Sequence, residues 1–219
     1  FKKTSALRYD VVIDIGAHKG ETISNFLKNF KIQNIYSFEA SSKTYKDLET
    51  NVKKIRKKYT TANIEIFNTG IGNSKDQKIF NELPDSNSST FNMINENSSY
   101  FKRKNKILSL FFKKKFTIKK NFVSQIKLSD FIKEKKIKNI DILKIDTEGY
   151  EFEVIKGLEN DIKIIKFIYF EHHYDNMIKK NYTFSDIHGF LLTNGFQRAF
   201  KVKMPLRKSF DYIYEKKTV

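Results

Sequence analysis

The stretch VVIDIGAHKGET, Val11 to Thr22, decides the fold. Val11 to Ile15 is a short apolar, β-branched run, the pattern of a parallel strand buried on both faces. Asp14, at the end of that run, projects its carboxylate at the carboxyl edge of a sheet. Gly16 and Gly20 permit backbone angles and close approaches that a Cβ would block. Helical spacing begins at Glu21 and continues through Ile23, Phe26, Leu27 and Phe30. Strand, glycine loop and helix start together make a ligand-binding crevice, because the free N–H groups of the helix start point into it.

The rest of the chain repeats the unit. NIYSFEA (Asn34 to Ala40) reads as a second strand, and SKTYKDLETNVKKIRKKY as a helix with Tyr45, Leu48, Val52 and Ile55 on one face. Ile64 to Phe67 is a third strand, running into NTGIGN. KIFNEL is a candidate strand, and PDSNSSTFNMINENSS is polar and turn-rich, the composition of a loop. FVSQIKLSDFIKEKK is a strand leading into a short helix with Ser129 at its N-cap. IDILKID (Ile140 to Asp146) and IIKFIYFE (Ile164 to Glu171) are further buried strands, separated by the helix EFEVIKGL. FSDIHGFLLTNG is a helix stopped by Gly195, and FQRAFKVK and FDYIYEK form a closing antiparallel pair. Strands alternating with helices imply an α/β, doubly wound, mostly parallel sheet with an antiparallel C-terminal edge hairpin. No repeat or linker splits the chain, so residues 1–219 read as a single domain with a polar and basic insertion at about 84–120.

Composition narrows the function. The 219 residues contain no cysteine, which removes disulfides and thiolate chemistry and fits a reducing, cytoplasmic compartment. No apolar run approaches the ~20 residues of a transmembrane helix. The chain begins at Phe1 rather than Met, which leaves a removed leader open. The net charge of +17 invites anionic partners, although Lys, Asn and Ile are abundant throughout, as AT-rich codon usage would make them. One segment stands out: Lys102 to Lys127 carries ten basic residues and no acidic one, interleaved with Phe111, Phe112 and Phe116. It reads either as a solvated insertion face or as a surface for an anionic partner, including a membrane surface met peripherally.

The loop argues against a nucleotide phosphate. Its D-x-G-x-x-x-G spacing is not the dinucleotide G-x-G-x-x-G, and the Gly-Lys-Ser/Thr of a P-loop is missing. Glu21 would add negative charge where a phosphate should sit. A ligand with a cationic centre and an amino-acid head fits better, and S-adenosylmethionine is such a ligand. Glu39 ends the second strand about 20 residues beyond the loop, where a carboxylate can accept both ribose hydroxyls.

VVIDIGAHKGETISNF, IYSFEAS, NTGIGN, SNSSTF and IDILKIDTEGYEFEVIKG occur in the order found in FkbM-type methyltransferases. The resemblance runs from about Val11 to Glu171, and LKIDTEGYE is its most specific block. It implies a class I, Rossmann-like methyltransferase fold with a seven-stranded sheet. It also implies methyl transfer from S-adenosylmethionine, usually to an oxygen and often on a sugar or polyketide. Carried over by position, Asp14, Gly16, His18, Gly20 and Thr22 would line the methionine end and Glu39 would hold the ribose. Ala40, Ser41 and the Gly70–Ile71–Gly72 turn would border the adenine, with Asp146 near the amino group or the methyl. The family usually has Asn where this chain has His18, and Pro where it has Ala40. Neither change removes a carboxylate or a glycine.

Deprotonating an alcohol calls for a general base. The candidates at strand ends are Asp146, Glu148, Glu171 and His172, with His173 beside it. Side chains alternate along a strand, so at most one of the two histidines faces the site. The carboxylates could converge without a metal, and none is expected. The acceptor is then a small molecule or glycan, in one version anionic or lipid-linked, with Pro84 to Lys120 as a lid over it and Lys113, Lys114 and Lys115 in contact. An RNA methyltransferase is the alternative that the charge suggests, although no Asn/Asp-Pro-Pro-Tyr/Phe tetrapeptide is present. A non-catalytic protein that keeps the fold is the third reading.

Overall fold

A computed structural model describes residues 7–84, 88–112, 117–205 and 207–217. Lys113, Lys114, Lys115 and Phe116 lie outside the described residues. Ten strands and six α-helices are described: β1 (Arg8–Ile15), α1 (Glu21–Asn29), β2 (Lys31–Phe38), α2 (Ser42–Lys58), β3 (Asn63–Phe67), β4 (Gly70–Gly72), β5 (Asp76–Glu82), α3 (Ser99–Phe112), β6 (Lys119–Lys127), α4 (Leu128–Glu134), β7 (Ile140–Ile145), α5 (Glu151–Lys156), β8 (Ile165–His173), α6 (Phe184–Thr193), β9 (Phe196–Lys203) and β10 (Ser209–Lys216).

The main sheet has seven strands in the order β3-β2-β1-β7-β8-β10-β9. The first five run parallel, with Val12 opposite Ile35 and Ile142 on its two sides. The hairpin β9–β10 closes the sheet, and its last strand lies inboard, antiparallel to β8, with Phe170 opposite Tyr212. Strand order reverses between β1 and β7, and ligands bind at such switch points, outside the carboxyl ends of the strands.

Two apolar layers hold the sheet. On one face α1 and α2 bury Ile23, Leu27, Leu48, Val52 and Ile55 against Val12, Ile35 and Ile64. Full burial of each such side chain contributes about 1.5–3 kcal/mol. On the other face α4, α5 and α6 press Leu128, Phe131, Val154, Ile187 and Leu191 onto Ile13, Leu143, Ile145 and Phe170. The Ser41 side chain caps α2 by accepting from the Thr44 N–H at 3.2 Å, and Thr183 and Asp186 form a capping box on α6.

Two features depart from the sequence reading. Ser129 does not cap α4: the helix starts two residues earlier than that cap would place it, at Leu128, with Lys127 at the N-cap and no side-chain cap. Tertiary contacts occupy Ser129 instead, its N–H donating to the Gly157 carbonyl at 3.1 Å and its hydroxyl to Glu159 at 3.4 Å. A second sheet is also present, of order β4-β6-β5, with β4 parallel and β5 antiparallel to β6. Within the polar stretch before α3, Thr90 bridges to Asn81 and Ile94 bridges to Ile178. Phe101 of α3 then joins Leu83, Met177 and Ile178 in a small separate core. The insertion is thereby docked on the loop that follows β8.

Candidate active site

A cavity of about 430 Å³ opens at the carboxyl ends of β1, β2, β7 and β8. The loop after β1 forms one wall. The Gly16 and Ala17 N–H groups both donate to the Phe38 carbonyl at 2.9 Å, and the Asp146 N–H donates to the Ile15 carbonyl at 2.9 Å. Three strand ends are tied together by these bonds. Gly16 has φ 80°, and a Cβ there would lie 1.8 Å from the Asp146 carbonyl oxygen. His18 takes φ 48°, a left-handed conformation that Asn, Asp and His adopt more readily than other side chains. Its Nδ1 lies 3.2 Å from Glu21.

Glu39 sits at the end of β2 with both carboxylate oxygens held. Oε2 accepts from the His18 N–H at 2.9 Å and Oε1 from the Ser41 N–H at 2.8 Å. Each oxygen keeps a second lone pair. Burial raises this carboxyl to about 7, against the two N–H bonds that lower it, and Asp14 and Glu82 add to the rise.

The far end of the cavity is acidic. Asp146, Glu148 and Glu171 line it, with Lys144 and Arg207 beside them. Lys144 Nζ lies 3.3 Å from Asp14 and 3.4 Å from Asp146. Burial opposes its charge, but Asp14 and Asp146 outweigh burial and hold the ammonium above its usual range. Asp14 itself lies beneath the cavity floor, fully buried, and burial pushes its carboxyl up. Glu148 has φ 50° and follows from the turn Thr147–Gly149, which Glu151 holds from below. Glu151 accepts from the Gly149 N–H at 2.6 Å and from the Tyr182 hydroxyl at 2.5 Å. The last acid of LKIDTEGYE therefore builds the turn that presents the middle one.

His173, rather than His172, accompanies Glu171. Its Nε2 lies 3.2 Å from Glu148 and 3.6 Å from Glu171, and its Nδ1 3.6 Å from Asp175. Burial works against its charge, but Asp175, Glu148, Glu171 and Glu151 prevail and raise the imidazole to about 9. Burial raises Glu148 to about 8; Asp146 and Glu171 add to this and His173 opposes it. Glu171 is fixed by the Ser209 hydroxyl, which donates to it at 2.5 Å. His172 points to the opposite face of β8, packed against Tyr174, Tyr182 and Phe184, and burial lowers it to about 3. Among the described residues, no three His, Asp or Glu side chains are set to hold a metal ion.

Of the residues singled out from the sequence, Gly16, His18, Thr22, Glu39, Ala40, Gly70, Ile71, Asp146, Glu148 and Glu171 line the cavity. Asp14, Gly20, Ser41, Gly72 and His172 do not. Gly20 is the N-cap of α1, packed under Leu48, and Gly72 makes room for the Gln125 amide. Ser41 donates to Glu82 at 2.5 Å, tying α2 to β5. Lys144 was missed as a site residue. Lys144 had a signal, a lone lysine inside an apolar strand. Between the two histidines weighed from the sequence, alternation favours His173, which lies two residues beyond Glu171 and shares its face.

The titrations set the pH dependence of stability. The folded chain keeps protons that the unfolded chain has released on Glu39 between about pH 4.5 and 7, on Glu148 between about 4.5 and 8, and on His173 between about 6.5 and 9. Stability therefore falls as pH rises through these windows. Calorimetric melting should give a falling Tm from about pH 6.5 to 9, flattened in part by His173→Gln; a rising Tm would contradict these assignments.

Strand order, switch-point cavity and antiparallel closing hairpin define a class I S-adenosylmethionine methyltransferase fold. The profile described as Methyltransferase FkbM domain matches residues 14–198, and the chain belongs to that family. Among solved structures, methyltransferase FkbM from Methylobacillus flagellatus KT is similar at TM-score 0.62 and 14% identity, over 98% of this chain and 46% of that one. The chain thus spans about half the length of that relative. TrmK of M. capricolum, solved with S-adenosyl-homocysteine, is similar at TM-score 0.52 and 12% identity, over 97% and 65% of the two chains. An rRNA methylase from Streptococcus thermophilus is similar at TM-score 0.50 and 7% identity, over 97% and 90%. No curated protein matches the chain.

The family's cofactor is S-adenosylmethionine, and the donor set of the cavity fits it. Glu39 keeps lone pairs for two hydroxyls, Phe38, Ile71 and Phe80 offer apolar walls to a base, and the acidic end suits a sulfonium and an ammonium.

Proposed function

We propose that the chain is an O-methyltransferase whose acceptor is a hydroxyl on a sugar, glycan or other small molecule. The observation that carries this is Glu148, a carboxylate on the cavity wall raised to about 8 and in contact with His173. When bound, S-adenosylmethionine supplies an electrophilic methyl group on a sulfonium. Glu39 holds the ribose end of that ligand, and Asp146 with Lys144 borders its amino-acid end. Ionised Glu148, its charge offset by the neighbouring His173, takes the proton of the acceptor hydroxyl and becomes neutral. Glu171, fixed by Ser209, orients the acceptor through a further hydroxyl. The hydroxyl must be held near 3 Å from the methyl carbon, a task for the cavity walls and for the insertion at about 84–120, within the one domain.

The net charge of +17 supports a second reading, methylation of RNA. The experiment that decides is a screen for S-adenosylhomocysteine release against hydroxylated glycans, lipid-linked sugars and mixed RNA. Release with a sugar acceptor supports the first reading. Release with RNA alone replaces it by the second.

A further inference from the structure

The two faces of the second sheet differ sharply. Phe80 of β5 lines the cavity, and Val123 and Gln125 of β6 are buried. Ile79 and Phe122 face each other across β5 and β6, and alternation turns both to the opposite, outer face. Ile79 is 47% exposed there and Phe122 74%. An aromatic–aliphatic cross-strand pair is ordinarily a packing unit. Leu83 and Ile118, just past the strand ends, illustrate the usual situation, since both cluster with Phe101 of α3.

Positive charge surrounds the exposed pair. Lys120 shares the outer face with Phe122, Lys75 is exposed just before β5, and Lys102 and Arg103 are exposed on α3. Ile107 adds a third apolar side chain, also 47% exposed. No acidic residue occurs between Lys102 and Lys127.

We infer that the outer face of β5–β6, together with α3, docks on an anionic lipid surface. Phe122 and Ile79 enter the boundary between headgroups and acyl chains, and the lysines meet the lipid phosphates. Stable peripheral binding takes two signals, apolar insertion and basic attraction, and this face carries both. The same surface suits single-stranded nucleic acid less well. Stacking needs successive flat platforms, and the partner of Phe122 is aliphatic Ile79, which has no π-face. The docking stands without the methyl-transfer reading. A lipid-linked hydroxyl acceptor follows only when it rests on that reading as well.

The chain contains no tryptophan, so Phe122→Trp creates a single fluorescent reporter. The full chain is titrated with vesicles of phosphatidylcholine and phosphatidylglycerol, with phosphatidylcholine alone, and with mixed tRNA. The expected result is a blue shift on the anionic vesicles only. Adding Lys75→Glu and Lys120→Glu should weaken that binding at least about tenfold. Vesicle sedimentation of the wild type against Ile79→Ser/Phe122→Ser gives a second readout without the reporter, and the serine variant should stay in solution. The inference is overturned if the wild type does not sediment with anionic vesicles, if the serine variant sediments equally, or if the reporter answers tRNA and not vesicles. Calorimetry with S-adenosylhomocysteine on the same preparations separates the two proposals. Vesicle binding without cofactor binding upholds the docking and sinks the methyl transfer.

Discussion

Glu148→Gln is expected to lower turnover by about 10²–10⁴-fold, the usual contribution of a positioned general base. The amide keeps the size and shape of the carboxyl, so cofactor affinity should change little. Glu148 is preferred to its neighbours because of how each is engaged. Glu171 is fixed by Ser209 with Arg207 at 3.8 Å, and Asp146 is paired with Lys144. Glu148 has His173 beside it, and that imidazole can offset its charge. The rate of the wild type should rise with pH toward about 8 as Glu148 loses its proton. Steady-state kinetics on the acceptor found by the screen check both statements. A variant with wild-type kcat and an unchanged pH profile would remove Glu148 from the chemistry.

Gly16→Ala should have the largest effect on the folded state. The added methyl would stand 1.8 Å from the Asp146 carbonyl oxygen, a backbone atom held by the β1–β7 ladder. The residue also takes φ 80°, which costs an L-residue about 1–2 kcal/mol. Overpacking adds about 1–3 kcal/mol. Together these should lower Tm by about 10 °C, at the 2–4 °C per kcal/mol typical of this size. Because the three strand ends that meet at Gly16 wall the cavity, S-adenosylhomocysteine binding should fall as well. Thermal melting with and without that ligand tests this, and an unchanged Tm would contradict the geometry.

Much of the main sheet was legible because its determinants are local. Short β-branched runs, amphipathic helices and glycine punctuation specify β1, α1, β2, α2, β7 and β8 within windows of a few residues. The second sheet was not legible. β4 has three residues, and its partner Gln125 opposite Gly70 comes from far along the chain. Pairing at that separation is decided by packing rather than by pattern. Ser129 shows the same limit at a helix end, where a contact with Gly157 overrides the capping preference.

The site divides along similar lines. Glu39, Gly16 and the LKIDTEGYE acids could be read because strand ends and glycines have positional meaning. Asp14 is an acid at such a strand end, yet it points beneath the floor toward Lys144, and only the three-dimensional packing shows this. Gly70 and Gly72 look like ligand glycines in the sequence. In the structure, Gly70 would clash through a Cβ with the Phe91 ring and Gly72 with the Gln125 side chain.

The central claim is that this cavity binds S-adenosylmethionine with Glu39 at the ribose. Calorimetric titration of S-adenosylhomocysteine into wild type and Glu39→Ala tests it most directly. The account predicts micromolar binding to the wild type. Glu39→Ala should weaken it at least about 100-fold, since the two hydrogen bonds to a charged group contribute about 1.5–3 kcal/mol each. Absence of binding to folded wild-type protein, or equal binding by the variant, would contradict it.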